Sequence, residues 1–423
     1  MLSTLRDAWR IADLRKRMIF TMLMLIVSRG GTFVPVPFIN KEIVAQIISR
    51  GALFGFFDIL SGGAFKSFTI FALGVVPYIN SSIIMSLLAI AIPKLEQMQK
   101  EGEDGRKKIA QFTRYGTVIL GSIQAFGIAL YLRNQGAMTD PSAFNMFIVI
   151  ITLVAGTSFL MWLGEQITDK GIGNGISLLI FINIVSRYPS MGVTIGELVK
   201  AGTSNWVEVI LLIIFIVLTI AAVVTMDMAE RRIPVQYAKK VVGRKMYGGQ
   251  STHIPINVNS SSVIAIIFAM SIMQFPETIA NFFPNAAWTK VFAAGGWFST
   301  SSWWYLAVYF LLVIFFTWFY TGITFNTKEM ADNMKKYGGF IPGIRPGKPT
   351  TDYVQRILNR ITLIGGIFAG IIALTPYLLD KFTGLKNLYF GGTSILIVVG
   401  VALETAKQLE AQMTMRHYQG FLK

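Results

Sequence analysis

"LFGFFDILSGGAFKSFTIFALGVVPYINSSIIMSLLAIAIPKL", Leu53 to Leu95, is apolar almost from end to end, yet Ser61-Gly62-Gly63 breaks it near its start. From Phe71 to Ile92 the run is long enough to cross a bilayer, which takes about 20 apolar residues. Leu53 to Leu60, ahead of the break, is too short. Either this piece dips into the membrane without crossing it, or it forms an external amphipathic hairpin.

The rest of the chain is of the same kind. Of 423 residues, 53% are hydrophobic and 14% charged, where a soluble protein carries roughly 25% charged residues. Mean hydropathy is +0.57. The 32 Phe and 8 Trp suit lipid-facing surfaces and interfacial belts. Cysteine is absent and histidine occurs twice, at His253 and His417. Disulfides, thiol catalysis, cysteine-bound metals and a histidine metal centre are therefore excluded.

A window of ~19 residues suggests ten spans. They are Met18–Phe38, Phe71–Ile92, Tyr115–Leu132, Phe144–Gly164 and Gly175–Arg187, then Val207–Met226, Ser262–Phe275, Tyr305–Phe325, Ile361–Leu379 and Leu388–Ala406. A basic, amphipathic, interfacial segment with Arg6, Arg10, Arg15, Lys16 and Arg17 precedes the first. It looks like a signal peptide, but no A-x-A site follows it.

The net charge of +16 gathers on alternate loops, which places both termini and the even loops in the cytoplasm. The two largest basic loops, 227–261 and 326–359, contain "RRIPVQYAKKVVGRK" and "KKYGGFIPGIRPGKPT". Ordinary positive-inside loops are one reading. Ordered hairpins that dock a large, acidic partner are the other, favoured by the stiff turn that presents Arg345. The docking candidates are Arg231, Arg232, Lys239, Lys240, Arg244, Lys245, Arg345 and Lys348.

Equally telling is what the spans lack. Spans two to nine hold no Asp, Glu, Lys or His in their interiors. Arg29 lies toward the end of span one, where it snorkels or pairs with a neighbour. The neutral polar residues Asn80, Ser81, Ser82, Ser86, Gln124, Asn183, Ser271 and Gln274 suit hydrogen bonds between helices. A multi-span secondary transporter, the alternative function, would need intramembrane charges. A membrane protease would need a nucleophile and base or a metal set. "GIGNG", Gly171 to Gly175, resembles a phosphate loop but has no strand before it and no Lys-Ser/Thr after it. A tight turn that lets span five start close to its neighbours fits it better.

Several stretches together resemble the SecY family, SecY in bacteria and Sec61α in eukaryotes. They are "GVVPYINSSIIMSLL" (Gly74–Leu88), "GIGNGISLLIF" (Gly171–Phe181), "RRIPVQYAKK" (Arg231–Lys240), "GGFIPGIRPGKPT" (Gly338–Thr350) and "YFGGTSILIVV" (Tyr389–Val399), in family order and nearly end to end. One departure is Ala265, where the family usually has the proline of Ser-x-Ile-Pro; its loss removes a kink at the start of span seven.

The resemblance implies an all-α polytopic membrane protein. Its ten transmembrane helices would form two pseudo-symmetric five-helix halves around an hourglass pore, with a re-entrant plug helix. The halves would be 1–188 and 207–423, joined by a hinge linker at 189–206. The implied function is a protein-conducting channel in the bacterial plasma membrane, without enzymatic activity or cofactor. Unfolded secretory polypeptides would cross it, and membrane proteins would leave it sideways. The implied partners are the small membrane subunits SecE and SecG, the SecA motor ATPase, the ribosome through its RNA, signal sequences of secretory preproteins, and membrane lipid.

Residue by residue, Val75 and Ile79 share one face of span two and Ile180 and Ile184 one face of span five. With Ile267 and Ile397 they would make an aliphatic pore ring, although each alone is an ordinary membrane isoleucine or valine. Phe54, Phe56, Phe57, Ile59 and Leu60, hinged on Gly62 and Gly63, match the plug at about 53–65. Asn80, Ile83, Gln124, Ser271, Gln274 and Phe275 are the candidates for a lateral gate, closed by weak neutral hydrogen bonds.

Overall fold

The computed structural model describes residues 2–50, 58, 60–200, 205–237, 240–242, 245–247, 251–259, 262–282, 289, 291, 296–299, 302–383 and 392–420. Each expected span corresponds to a helix. In order they are Ala12–Gly31, Val76–Ala91, Glu103–Asn134, Ala143–Lys170, Gly175–Val185, Trp206–Met228, Ser262–Phe282, Trp303–Thr324, Lys348–Thr383 and Gly392–Gly420. Among the described residues, 7 helices are long and apolar enough to cross a membrane, or 8 with one bent pair. Within span seven, the described stretch Val263–Met273 is a shorter apolar helix. Span one carries Asp13, Arg15, Lys16 and Arg17 in its first turns.

Several boundaries differ from the sequence reading. Span one ends at Gly31, not Phe38, and Thr32–Ile39 forms turns and two isolated β-bridges, Pro35 to Thr69 and Ile39 to Met138. Span two starts at Val76, not Phe71, because Pro77 suits a first helical turn and Ser61–Val75 folds as buried turns. It then bends by 102° at Ile92 into a helix over Pro93–Lys100. Residues Tyr188–Lys200 of the expected linker are helical.

Packing follows residue size. Every fourth residue of span three, Thr113, Thr117, Gly121, Ala125 and Ala129, is small and buried, while Val118, Ile119, Ile123 and Phe126 are exposed. With lipid as apolar as leucine, close approach through small residues is what holds such helices together. Spans two and three are joined both directly and through the helix between them. The Ser81 hydroxyl donates to the Thr113 carbonyl at 2.7 Å, and Gly105 rests against the carbonyl of Met98.

The Gly171–Gly175 turn behaves as expected. Gly173 has φ +81, the Asn174 side chain accepts from Ser177 N at 3.2 Å, and Gly175 N donates to Thr168 Oγ1 at 2.9 Å. A Cβ on Gly175 would overlap the Gly164 carbonyl.

Each half has its own apolar core. Val36, Phe68, Ala125, Leu132, Val149 and Leu153 belong to the first; Ile266, Phe268, Tyr309, Val313, Phe316 and Leu396 belong to the second. A further cluster unites spans one, two, four and five with spans seven and ten.

The fold is not wholly helical. Strand β1 (Glu230–Tyr237) pairs antiparallel with β4 (Ser251–Asn257) and with β5 (Gly339–Phe340), and β2 (Lys240–Val242) pairs with β3 (Lys245–Tyr247). A small apolar core of Ile233, Val235, Ile256, Met334, Ile341 and Leu358 backs this sheet. The two large basic loops are thus one folded body, a fact hidden from the sequence because the β1–β5 contact is long-range.

Gly175→Val should lower the thermal unfolding midpoint in detergent, by overpacking worth about 1–3 kcal/mol. An unchanged midpoint would mean that the approach of spans four and five is not a tight one.

Candidate functional site

All six candidate ring residues meet in the cluster between the halves. Val75, Ile180, Ile184 and Ile397 are at most 4% exposed, and the partly buried Ile79 and Ile267 pack against them. Spans two and five contribute two residues each, spans seven and ten one each. Val75 stands just before its helix, yet Ile79 N donates to its carbonyl at 3.0 Å, so the shared face is kept. Branched aliphatic chains are stiff at χ1, which gives this cluster a defined apolar surface.

Of the plug candidates, Phe54, Phe56, Phe57 and Ile59 lie outside the described residues. Leu60 is buried in the same cluster as the ring, and Gly62 (φ +66) and Gly63 (φ +89) take left-handed turns that suit glycine. Non-helical backbone inside an apolar bundle needs partners in the protein, and here they are specific. Arg29 Nη1 donates to the Gly62 carbonyl at 3.2 Å and to Asn183 Oδ1 at 3.4 Å. Asn183 Nδ2 donates to the Leu60 carbonyl at 3.0 Å. Asp58 pairs with Arg187 at 2.5 Å and accepts from Lys66 N at 2.7 Å.

Sequence reasoning passed over Asp58 and Arg187. The available signal was a lone acid inside "FFDIL" and an arginine directly after span five.

Spans two and three both touch span seven, and the gate candidates are carried on these three helices. Ile83, with Leu87, packs on the core of the second half. Ser271 is half-buried. Gln274 and Phe275 are on the span-seven helix, but their side chains fall outside the description. Contrary to the expected hydrogen bonds, the buried side-chain oxygens of Asn80 and Gln124 accept none. The contact described there is the apolar packing of Ile83 and Leu87. Ala265 is fully buried in a regular helical turn, and the proline within span seven is Pro276.

On the sheet body, Arg231 and Arg232 are exposed along β1, with Arg232 paired to Glu230 at 2.6 Å. Arg345 and Lys348 are exposed on a turn whose shape is fixed from inside. Ile341 is buried beneath it, Gly343 and Gly347 have φ +82 and +104, and Thr350 Oγ1 donates to the Arg345 carbonyl at 2.9 Å. Lys240 and Lys245 lie on β2 and β3; Lys239 and Arg244 lie outside the described residues.

Comparison with known proteins agrees with this architecture. The sequence model of the SecY family matches residues 69–406. Protein translocase subunit SecY of Halalkalibacterium halodurans is 46% identical over 437 aligned residues, covering 100% of both chains. That of Thermotoga maritima is also 46% identical, covering 100% of this chain and 98% of its own. Among solved structures, one described as the structure of a protein conducting channel superposes with TM-score 0.67 at 20% identity, over 95% of this chain and 93% of that one. Sec61 in the canine ribosome–channel complex gives 0.63 at 18% identity, over the same shares. Helices, waist cluster, re-entrant turns and end-to-end identity agree, and the chain belongs to the SecY family.

Proposed function

We propose that this protein-translocation channel works as a passive pore, closed by its aliphatic waist and opened by the cargo. The observation that carries this reading is the meeting of six branched aliphatic side chains from both halves in one buried cluster. A narrow aliphatic ring dewets when empty and so blocks ions. Being non-directional in its contacts, it also yields around side chains of any chemistry. The segment from Asp58 to Gly63 is the plug at its side.

The seam of spans two, three and seven serves as the lateral exit for apolar signal helices. Its buried Asn80 and Gln124 oxygens lack donors in the closed form, and an unsatisfied buried acceptor costs about 1–3 kcal/mol. Opening lets water or a passing backbone satisfy them, so these residues lower the cost of opening. The sheet body, with Arg345 at its tip, receives the partner that supplies energy. That partner is the SecA motor or the ribosome, and an acidic or RNA surface fits its basic face. SecE and SecG complete the membrane complex, and the basic loops face the cytoplasm of a bacterial cell.

A stalled secretory chain should cross-link to a photoreactive residue placed at Ile180. Failure to capture it there, with capture elsewhere in the protein, overturns the pore assignment. Ile267→Asn and Ile397→Asn should wet the closed waist and raise ion conductance of the resting channel in planar bilayers; unchanged conductance in both argues against the ring. Asn80→Leu should close the seam more tightly and reduce export of precursors with weak signals. Arg345→Glu should abolish motor-driven export while the protein stays folded, and normal export would remove the docking role.

A further inference from the structure

The plug is attached to the two halves of the channel by different chemistry. Each hydrogen bond described above from Asp58–Gly62 to a span or its flank ends in the first half, at Arg29, Asn183 or Arg187. Toward the second half, Leu60 shares an apolar cluster with Ile267, Ile397 and Val401. Asp58 is nearly closed to solvent, with its side chain 3% exposed, and Arg187 is 23% exposed. Both carboxylate oxygens of Asp58 are engaged, Oδ2 by Arg187 and Oδ1 by the Lys66 amide. Arg187 in turn stands between span five and the helix Tyr188–Lys200, and Ser190 Oγ donates to its carbonyl at 2.8 Å. The ion pair therefore ties the plug to the joint between the halves.

We propose that Asp58, Arg187, Arg29 and Asn183 form a polar latch that holds the plug to the first half and sets how strong a signal a cargo must carry to move it. Apolar contact with the second half parts gradually as the halves separate. A charge pair with little access to water does not, because breaking it leaves each charge poorly solvated. The latch thus adds a threshold that the aliphatic ring lacks. These four are positioning residues, acting on cargo only through the plug, and the proposal rests on the plug reading above.

The test uses the assembled translocase in proteoliposomes, with one precursor bearing either its full signal or a weakened one. Asp58→Asn and Arg187→Gln should each raise the ratio of weak-signal to strong-signal export by about tenfold, while Arg187→Lys, which keeps the charge, should stay near the parent ratio. The double variant should raise the ratio no further than the single ones, since either change alone breaks the pair. Unchanged ratios in the single variants, or effects that simply add, would overturn the latch.

A separate arm tests the plug itself. The chain has no cysteine, and a Cβ at Gly62 would lie 3.1 Å from that of Asn183, close to the ~3.8 Å of a disulfide. The variant carrying Gly62→Cys and Asn183→Cys also removes Asn183 from the latch and crowds the end of Arg29, so when reduced it should export with the raised weak-signal ratio of the charge variants, and when oxidised it should stop. Block on oxidation with unchanged ratios in the charge variants rejects the latch and keeps the plug; export through the oxidised form rejects both.

Discussion

Backbone that is not helical must be fed hydrogen bonds if it is to stay inside an apolar bundle. That constraint organises the middle of this molecule. The turns of Ser61–Val75 are paid for by partners in their own half. Val36 N donates to the Phe68 carbonyl at 3.0 Å, Ile70 N to the Val34 carbonyl at 3.0 Å, and Arg29 and Asn183 reach the carbonyls of Gly62 and Leu60. With these satisfied, Leu60, Phe71 and Val75 are free to point into the cluster that joins the halves. Without them, no short segment could rest beside the waist, and span two would have no fixed starting point.

The chemistry is divided between polar and apolar parts in a consistent way. Where permanence is needed, between spans two and three or four and five, small residues allow backbones to touch. In the cluster that holds Ile180 and Ile397, and where Ile83 and Leu87 meet the second core, the described contacts are apolar. The unpaired oxygens of Asn80 and Gln124 fit this pattern, since they make the closed seam less favourable than a wholly apolar one. Charge enters the apolar interior at Arg29 and at the Asp58–Arg187 pair, which hold the non-helical turns, while the core of the sheet body leaves Arg345 exposed on its turn.

Much of this was legible in the sequence, because long apolar runs and alternating basic loops report on the bilayer directly. The helix for every span and the tight turn at Gly171–Gly175 agree with that reading, whereas the grouping of Val75, Ile79, Ile180, Ile184, Ile267 and Ile397, which share one cluster, was implied by the family resemblance and not by hydropathy. Boundaries failed where hydropathy continued but helix did not, as at Phe71–Val75, which are apolar because they are buried in protein. The joining of the two basic loops was hidden, since β1 and β5 are about a hundred residues apart and strand pairing leaves no local mark. Asp58 and Arg187 were missed for a related reason. Each is a single charge at the edge of an apolar run, and only their meeting in space makes them a pair.

The 102° turn at Ile92 has a mechanical meaning. After it, the chain runs through Pro93–Lys100 and doubles back into span three, where Gly105 presses on the Met98 carbonyl and Ser81 reaches Thr113. Two helices fastened both by their connecting elbow and along their length cannot swing separately. Spans two and three, with the elbow between them, are therefore one unit, so a displacement of the elbow is a displacement of both helices.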